Sequence, residues 1–153
     1  MPSIPRAIDV ELSGIKERMF SQAWLNEPDA EGHFPTNGDR FAAQELNKRR
    51  DRIGYTRTGI LCQAIAAGWH YKSPKQLEEL GDKVGRERIL VIHGPLDRMI
   101  SPPHGELLFK ELGGVEKGVT MVVAEGKAHG LAMEWRRDLT RVIASFVEKA
   151  ENL

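Results

Sequence analysis

The chain has 153 residues, enough for one domain that would bury roughly 70% of the surface its unfolded form exposes. Its 22 Lys and Arg balance its 22 Asp and Glu, so no net charge draws it toward nucleic acid or anionic lipid, and small neutral substrates or protein partners are expected. A lone cysteine, Cys62, excludes an internal disulfide, and the lack of CxxC or Cys/His clusters argues against a structural metal site.

The N-terminal stretch MPSIPRAIDVELSG places Arg6, Asp9 and Glu11 where a signal peptide would need an unbroken apolar run, and no apolar run of about 18 residues occurs anywhere. A cytoplasmic protein with no membrane partner is the expectation. No internal repeat or low-complexity tract interrupts the chain. SGIKERMFSQAWL predicts a short amphipathic helix with Ser13 as N-cap and Ile15, Met19 and Ala23 one turn apart. NEPDAEGHFPTNGD, residues 26–39, reads as a linker because Pro28, Gly32, Pro35 and Gly38 break any period. DRFAAQELNKRRD is helical by propensity, and the cations of NKRRDR, interleaved with Glu45 and Asp51, predict a solvated face. TRTGILCQAIAAGWH stacks Leu61, Ala64, Ile65 and Trp69 on one side, as a largely buried helix would, which makes Cys62 an inert buried residue. SPKQLEELG has Ser73 as N-cap, Pro74 at the first helical position, Gln76 completing a capping box and Gly81 as the stop. Residues 1–85 are therefore predicted to be almost wholly helical.

The character changes at Ile89. ILVIHG is a short, unalternated, β-branched run ending in glycine, as in a parallel strand covered on both faces. VTMVVAEG supplies a second strand from Val119. Between them HGELLFKELGG predicts a helix with Leu107, Leu108 and Leu112 inward and Gly113 as its stop, which makes a βαβ unit. A last helix carries Trp135, Leu139, Val142, Ile143, Phe146 and Val147 at spacings of three and four. The fold class is α/β, with a C-terminal β-α-β-α unit of two parallel strands over residues 86–153.

Reactive loops of such sheets lie beyond the carboxyl ends of the strands. Asp97, in HGPLDRMI, follows the first strand; His129, in GKAHG, follows the second. Brought together, the carboxylate would accept from one imidazole nitrogen, fix the tautomer and leave the other nitrogen as a general base. His93 at the strand end reads as a hydrogen-bonded structural residue, while His33, His70 and His104 follow no catalytic pattern. Trp24, Trp69 and Trp135 read as core anchors.

ILVIHGPLDRMISPPHGELL followed by VTMVVAEGKAHG resembles the C-terminal part of an α/β-hydrolase, the acid strand and loop followed by the histidine strand and loop. The stretch PTNGDRFAAQELNKRRDRIGYTRTGILCQAIAAGWHYKSPKQLEELG resembles the helical cap of a fungal-type branch of that superfamily. The resemblance implies a partial α/β-hydrolase fold, with a cap-like segment over residues 1–85, Asp97 as the triad acid and His129 as the triad base. It also implies a serine ester hydrolase acting on a small ester or acyl substrate without a cofactor.

The same resemblance requires a nucleophile in G-x-S-x-G, a pattern absent here. Ser3, Ser13, Ser21, Ser73, Ser101 and Ser145 all fail it. The chain alone is expected to be inactive. The alternative is a non-catalytic remnant that binds a protein partner. An unpaired sheet edge predicts an apolar patch beside Ile89 and Val91, and self-association through that edge.

Overall fold

The computed structural model describes residues 5–51, 53–54 and 56–152. It is mostly helical, with one small parallel sheet, and so belongs to the mixed α/β class. Two compact units are present. One comprises residues up to Lys16 together with Gln22–Lys72, and the other Glu17–Ser21 together with Ser73 onward. Ser3 lies outside the described residues.

The first unit is helical. Helix α1 spans Pro5–Met19, with proline in its first turn, where its missing N–H is no loss. Ser13 is thus an exposed residue inside a helix rather than its cap, because a hydroxyl on a solvent-facing helical position needs no backbone partner. After α2 (Gln22–Asn26) the linker closes tightly on Asp29. Its carboxylate accepts N–H bonds from Glu31, His33 and Phe34 and pairs with Arg40 at 3.1 Å. Burial raises the Asp29 pKa, and the three backbone donors and Arg40 more than offset it, leaving the group below the usual carboxylate range.

Helix α3 (Asn37–Arg50) begins at Thr36, whose hydroxyl accepts from the Asp39 N–H. Asn37 donates to the Trp24 carbonyl at 3.1 Å, and Gly38 lies against the Leu25 backbone, so α2 and α3 approach closely. Among the described residues of this unit Leu12, Trp24, Leu25 and Phe41 are buried and apolar. Arg49 pairs with Glu11 at 2.7 Å and with Glu45 at 3.3 Å. Helix α4 (Arg57–Trp69), capped by Thr56, differs from its prediction: none of its residues is buried, Cys62 is exposed and Trp69 is 82% exposed. Its apolar side has no described element to bury it.

The second unit carries the sheet. Helix α5 (Pro74–Val84) has the predicted capping box, with Ser73 and Gln76 bonding each other's backbone N–H. It does not stop at Gly81. The glycine is interior, and a Cβ there would lie 2.5 Å from the Arg86 guanidinium, whereas Gly85, at φ +85°, terminates the helix. That guanidinium bridges the carbonyls of Leu112 and Glu78 and the Asp82 carboxylate, tying a 3-10 turn at residues 86–88 to its surroundings.

Strand β1 (Leu90–His93) pairs in parallel with β2 (Thr120–Val123), in the register Leu90↔Thr120 to His93↔Val123. Helix α6 (Pro102–Glu111) makes the crossover. Val91, Leu112 and Val119 form the core, with Leu77, Ile89, Phe109 and Met121 packed against them. Ile89 and Val91 therefore do not front an exposed patch. The opposite face is the open one: Leu90, Thr120 and Val122 line a groove of about 410 Å³ with Val142 and Phe146. These last belong to helix α8 (Arg136–Glu151), which follows the short α7 (Leu131–Glu134) and has no fully buried residue. Leu112 is inward as predicted, but Leu107 and Leu108 are 55% and 41% exposed, because two strands present too narrow a face to cover them. Among the described residues no helix is long and apolar enough to cross a membrane.

Candidate functional site

The carboxyl ends of β1 and β2 lead into two loops that touch. Leu96 N–H donates to the Lys127 carbonyl at 3.0 Å, and Gly94 is buried where a Cβ would lie 2.5 Å from the carbonyl oxygens of both Lys127 and Ala128. Only a residue without a side chain permits this approach. The contact places Asp97 beside His129.

Asp97 Oδ2 accepts a hydrogen bond from His129 Nδ1 at 2.9 Å, while Oδ1 accepts the N–H groups of Met99 (2.8 Å) and Ile100 (2.9 Å). The Asp97 side chain is 7% exposed and that of His129 32%. Burial raises the Asp97 pKa. The Ile100 N–H, the His129 hydrogen bond, the Met99 N–H and the His129 charge outweigh it, holding the carboxyl below its ordinary range. An ionised carboxylate can only accept, so the proton of the shared bond resides on His129 Nδ1. In the neutral ring Nε2 is then the basic nitrogen.

The two residues singled out from the sequence are thus brought together across the ends of adjacent parallel strands. His93 has the structural part expected of it. Its Nε2 donates to the Ile100 carbonyl at 3.0 Å and stands 3.8 Å from Asp97 Oδ2, so it braces the turn that presents Asp97. Gly105 of α6 lies over its ring, where a Cβ would come within 2.7 Å of Nδ1. Two of the serines are committed elsewhere: Ser21 donates its hydroxyl to Glu134 at 2.7 Å, and Ser73 caps α5.

Glu134 was not among the predicted residues. It is buried and accepts from Ala128 N–H at 2.9 Å, one residue before His129. A carboxylate inside the otherwise apolar run GLAMEW is the one sequence signal that could have marked it. Among the described residues no group of three or more His, Cys, Asp or Glu is placed to hold a metal ion. A second surface cavity, about 660 Å³ and lined by Phe109, Lys75, Lys110 and Lys117 among others, includes neither Asp97 nor His129. No family model, curated protein or solved structure matches the chain.

Proposed function

We propose that this chain carries the acid and base of a serine ester hydrolase of the α/β-hydrolase type, acting on a small ester or acyl substrate. In this reading a helical cap-like segment precedes a C-terminal part of the hydrolase fold. The observation that supports it is the 2.9 Å bond from His129 Nδ1 to Asp97 at the carboxyl ends of two parallel strands. The nucleophile would be a serine outside these residues, on a strand-to-helix turn with the G-x-S-x-G pattern. As its oxygen bonds to the acyl carbon, His129 Nε2 takes its proton; the proton then goes to the departing alcohol, and water repeats the sequence to release the acid. Asp97 keeps Nδ1–H aimed and stabilises the imidazolium that forms.

The 153-residue chain by itself is expected to resist a fluorophosphonate probe and to hydrolyse aryl esters no faster than a denatured control. An enzyme that loses only its triad retains roughly 10³-fold catalysis from its oxyanion hole and binding site, and neither is provided by the elements described. The positive test is an in-frame glycine-flanked serine in the transcript whose probe labelling is abolished by His129→Ala. Labelling of a serine within the chain itself would overturn the assignment of the nucleophile.

A second reading, a non-catalytic module that binds a protein partner, is favoured by α4, whose Ile60, Leu61, Ile65 and Trp69 are all exposed. A transcript with no such serine, yielding a stably produced protein, would support it.

A further inference from the structure

His129 sits between two residues whose backbone N–H groups are both held by partners elsewhere in the fold. On one side Ala128 N–H donates to Glu134 Oε1 at 2.9 Å. On the other, Gly130 N–H donates to the Met19 carbonyl at 2.7 Å, and a Cβ on Gly130 would overlap the buried ring of Phe20. The two anchors are themselves joined: Ser21 gives its hydroxyl to Glu134 Oε2 at 2.7 Å and shares its N–H between both carboxylate oxygens at 3.3 Å. Glu134 is 7% exposed and Ser21 5%.

We propose that Glu134 is a positioning residue for His129, acting through the Ala128 backbone and tying the histidine loop to the segment Met19–Ser21. The proposal rests on the Asp97–His129 reading above. A carboxylate is costly to bury, and among the described residues this one accepts from two backbone N–H groups and a hydroxyl. That set requires a side chain that accepts from the Ala128 N–H and bonds the Ser21 hydroxyl. Glutamine can keep both anchors, its amide oxygen accepting from Ala128 N–H while its NH₂ donates to the Ser21 hydroxyl, whereas leucine has nearly the same size but no acceptor, so both anchors open. Helix α7, with four residues, has too few internal bonds to hold its own orientation. The Glu134 carboxylate supplies that orientation, folding the helix back onto the loop it follows.

The consequence is geometric. With Ala128 and Gly130 both held, the His129 ring has only its own side-chain torsions to search, and Nδ1 stays within hydrogen-bonding reach of Asp97. Release of one anchor lets the backbone at His129 move and lengthens that bond.

The test follows two signals that need neither substrate nor serine, in the full chain: the low-field proton on His129 Nδ1 and the titration midpoint of the Asp97 carboxyl, both by NMR. Glu134→Leu is expected to abolish the Nδ1 proton resonance through faster exchange and to move the Asp97 midpoint upward, because one of the groups that lowers it is withdrawn, while Glu134→Gln, which keeps an acceptor for Ala128 N–H, retains both signals. Ser21→Ala removes the hydroxyl but leaves the Ala128 bond, and gives a smaller change in the same direction. It also stands in for Glu134→Leu if that variant fails to unfold cooperatively. Folded Glu134→Leu and Ser21→Ala variants with both signals unchanged would overturn the positioning role. Absence of the Nδ1 proton signal in the unaltered protein would instead remove the dyad on which the proposal rests, so the two failures are told apart.

Discussion

Asp97 is buried yet has its pKa lowered, and the reason is the number of donors aimed at it. Burial pushes the carboxyl up; the N–H groups of Ile100 and Met99 and the His129 ring pull it down further. A group whose folded pKa is depressed contributes stability that is present in full above the unfolded value, about 3.9. That contribution is lost as pH falls through the lower folded value. Asp97→Asn is therefore expected to cost about 1.5–3 kcal/mol at neutral pH, the range for hydrogen bonds to a charged group. The gap between variant and parent should close as the pH is taken below 4. Urea unfolding at a series of pH values measures it. A gap that is constant from neutral pH to pH 3 would mean the charge contributes nothing. Both members of this pair were legible in the sequence only together: alone each would more often form a turn or lie on the surface, but HGPLD and GKAHG flank one βαβ unit. Glu134 was not, because its partners are backbone N–H groups that no sequence displays.

At the scale of elements, glycines decide what can approach what. Gly94 begins the loop that carries Asp97, with its carbonyl accepting from Asp97 N–H at 3.1 Å. An added Cβ meets two backbone oxygens at 2.5 Å, and backbone cannot swing aside as a flexible side chain can. Gly94→Ala is expected to cost about 1–3 kcal/mol and to weaken the Asp97–His129 bond by parting the two loops. Gly68 in α4 is the contrasting case, since a Cβ there meets nothing within 4 Å. Gly68→Ala should stabilise by about 0.5–1 kcal/mol through helix propensity alone. Thermal unfolding of the two variants checks both signs; equal effects would contradict this account. The same distinction explains Gly81, which marks a helix end by its residue type but is retained inside α5 for the close approach of Arg86.

For the molecule as a whole, the notable feature is how much apolar surface its elements leave uncovered. A sheet of two strands has unpaired outer edges, and α4, α6 and α8 all expose large aliphatic side chains, among them Leu61, Leu107 and Ile143. Monomeric proteins rarely leave broad apolar patches open, and free sheet edges pair readily with other chains. The chain is accordingly expected to self-associate. Size-exclusion chromatography with light scattering, together with binding of a hydrophobic dye, should show oligomers and dye uptake. A compact monomer at high concentration without uptake would exclude this.

Local signals in the amino-acid sequence were sufficient for the start of α5, the two strands and the loops bearing Asp97 and His129, but not for the caps of α1, α3 and α4 or the end of α5. Each of the former depends on neighbours a few residues apart, such as the Ser73–Gln76 pair that starts α5. They did not determine which apolar faces are buried. The periodicity of α4 and α6 states which side of a helix could be covered, but covering it requires another element at the right place, and for Leu61, Leu107 and Leu108 none is there. Tertiary structure alone brought Ser21 to Glu134, 113 residues along the chain, because a buried carboxylate must collect donors from wherever the fold presents them.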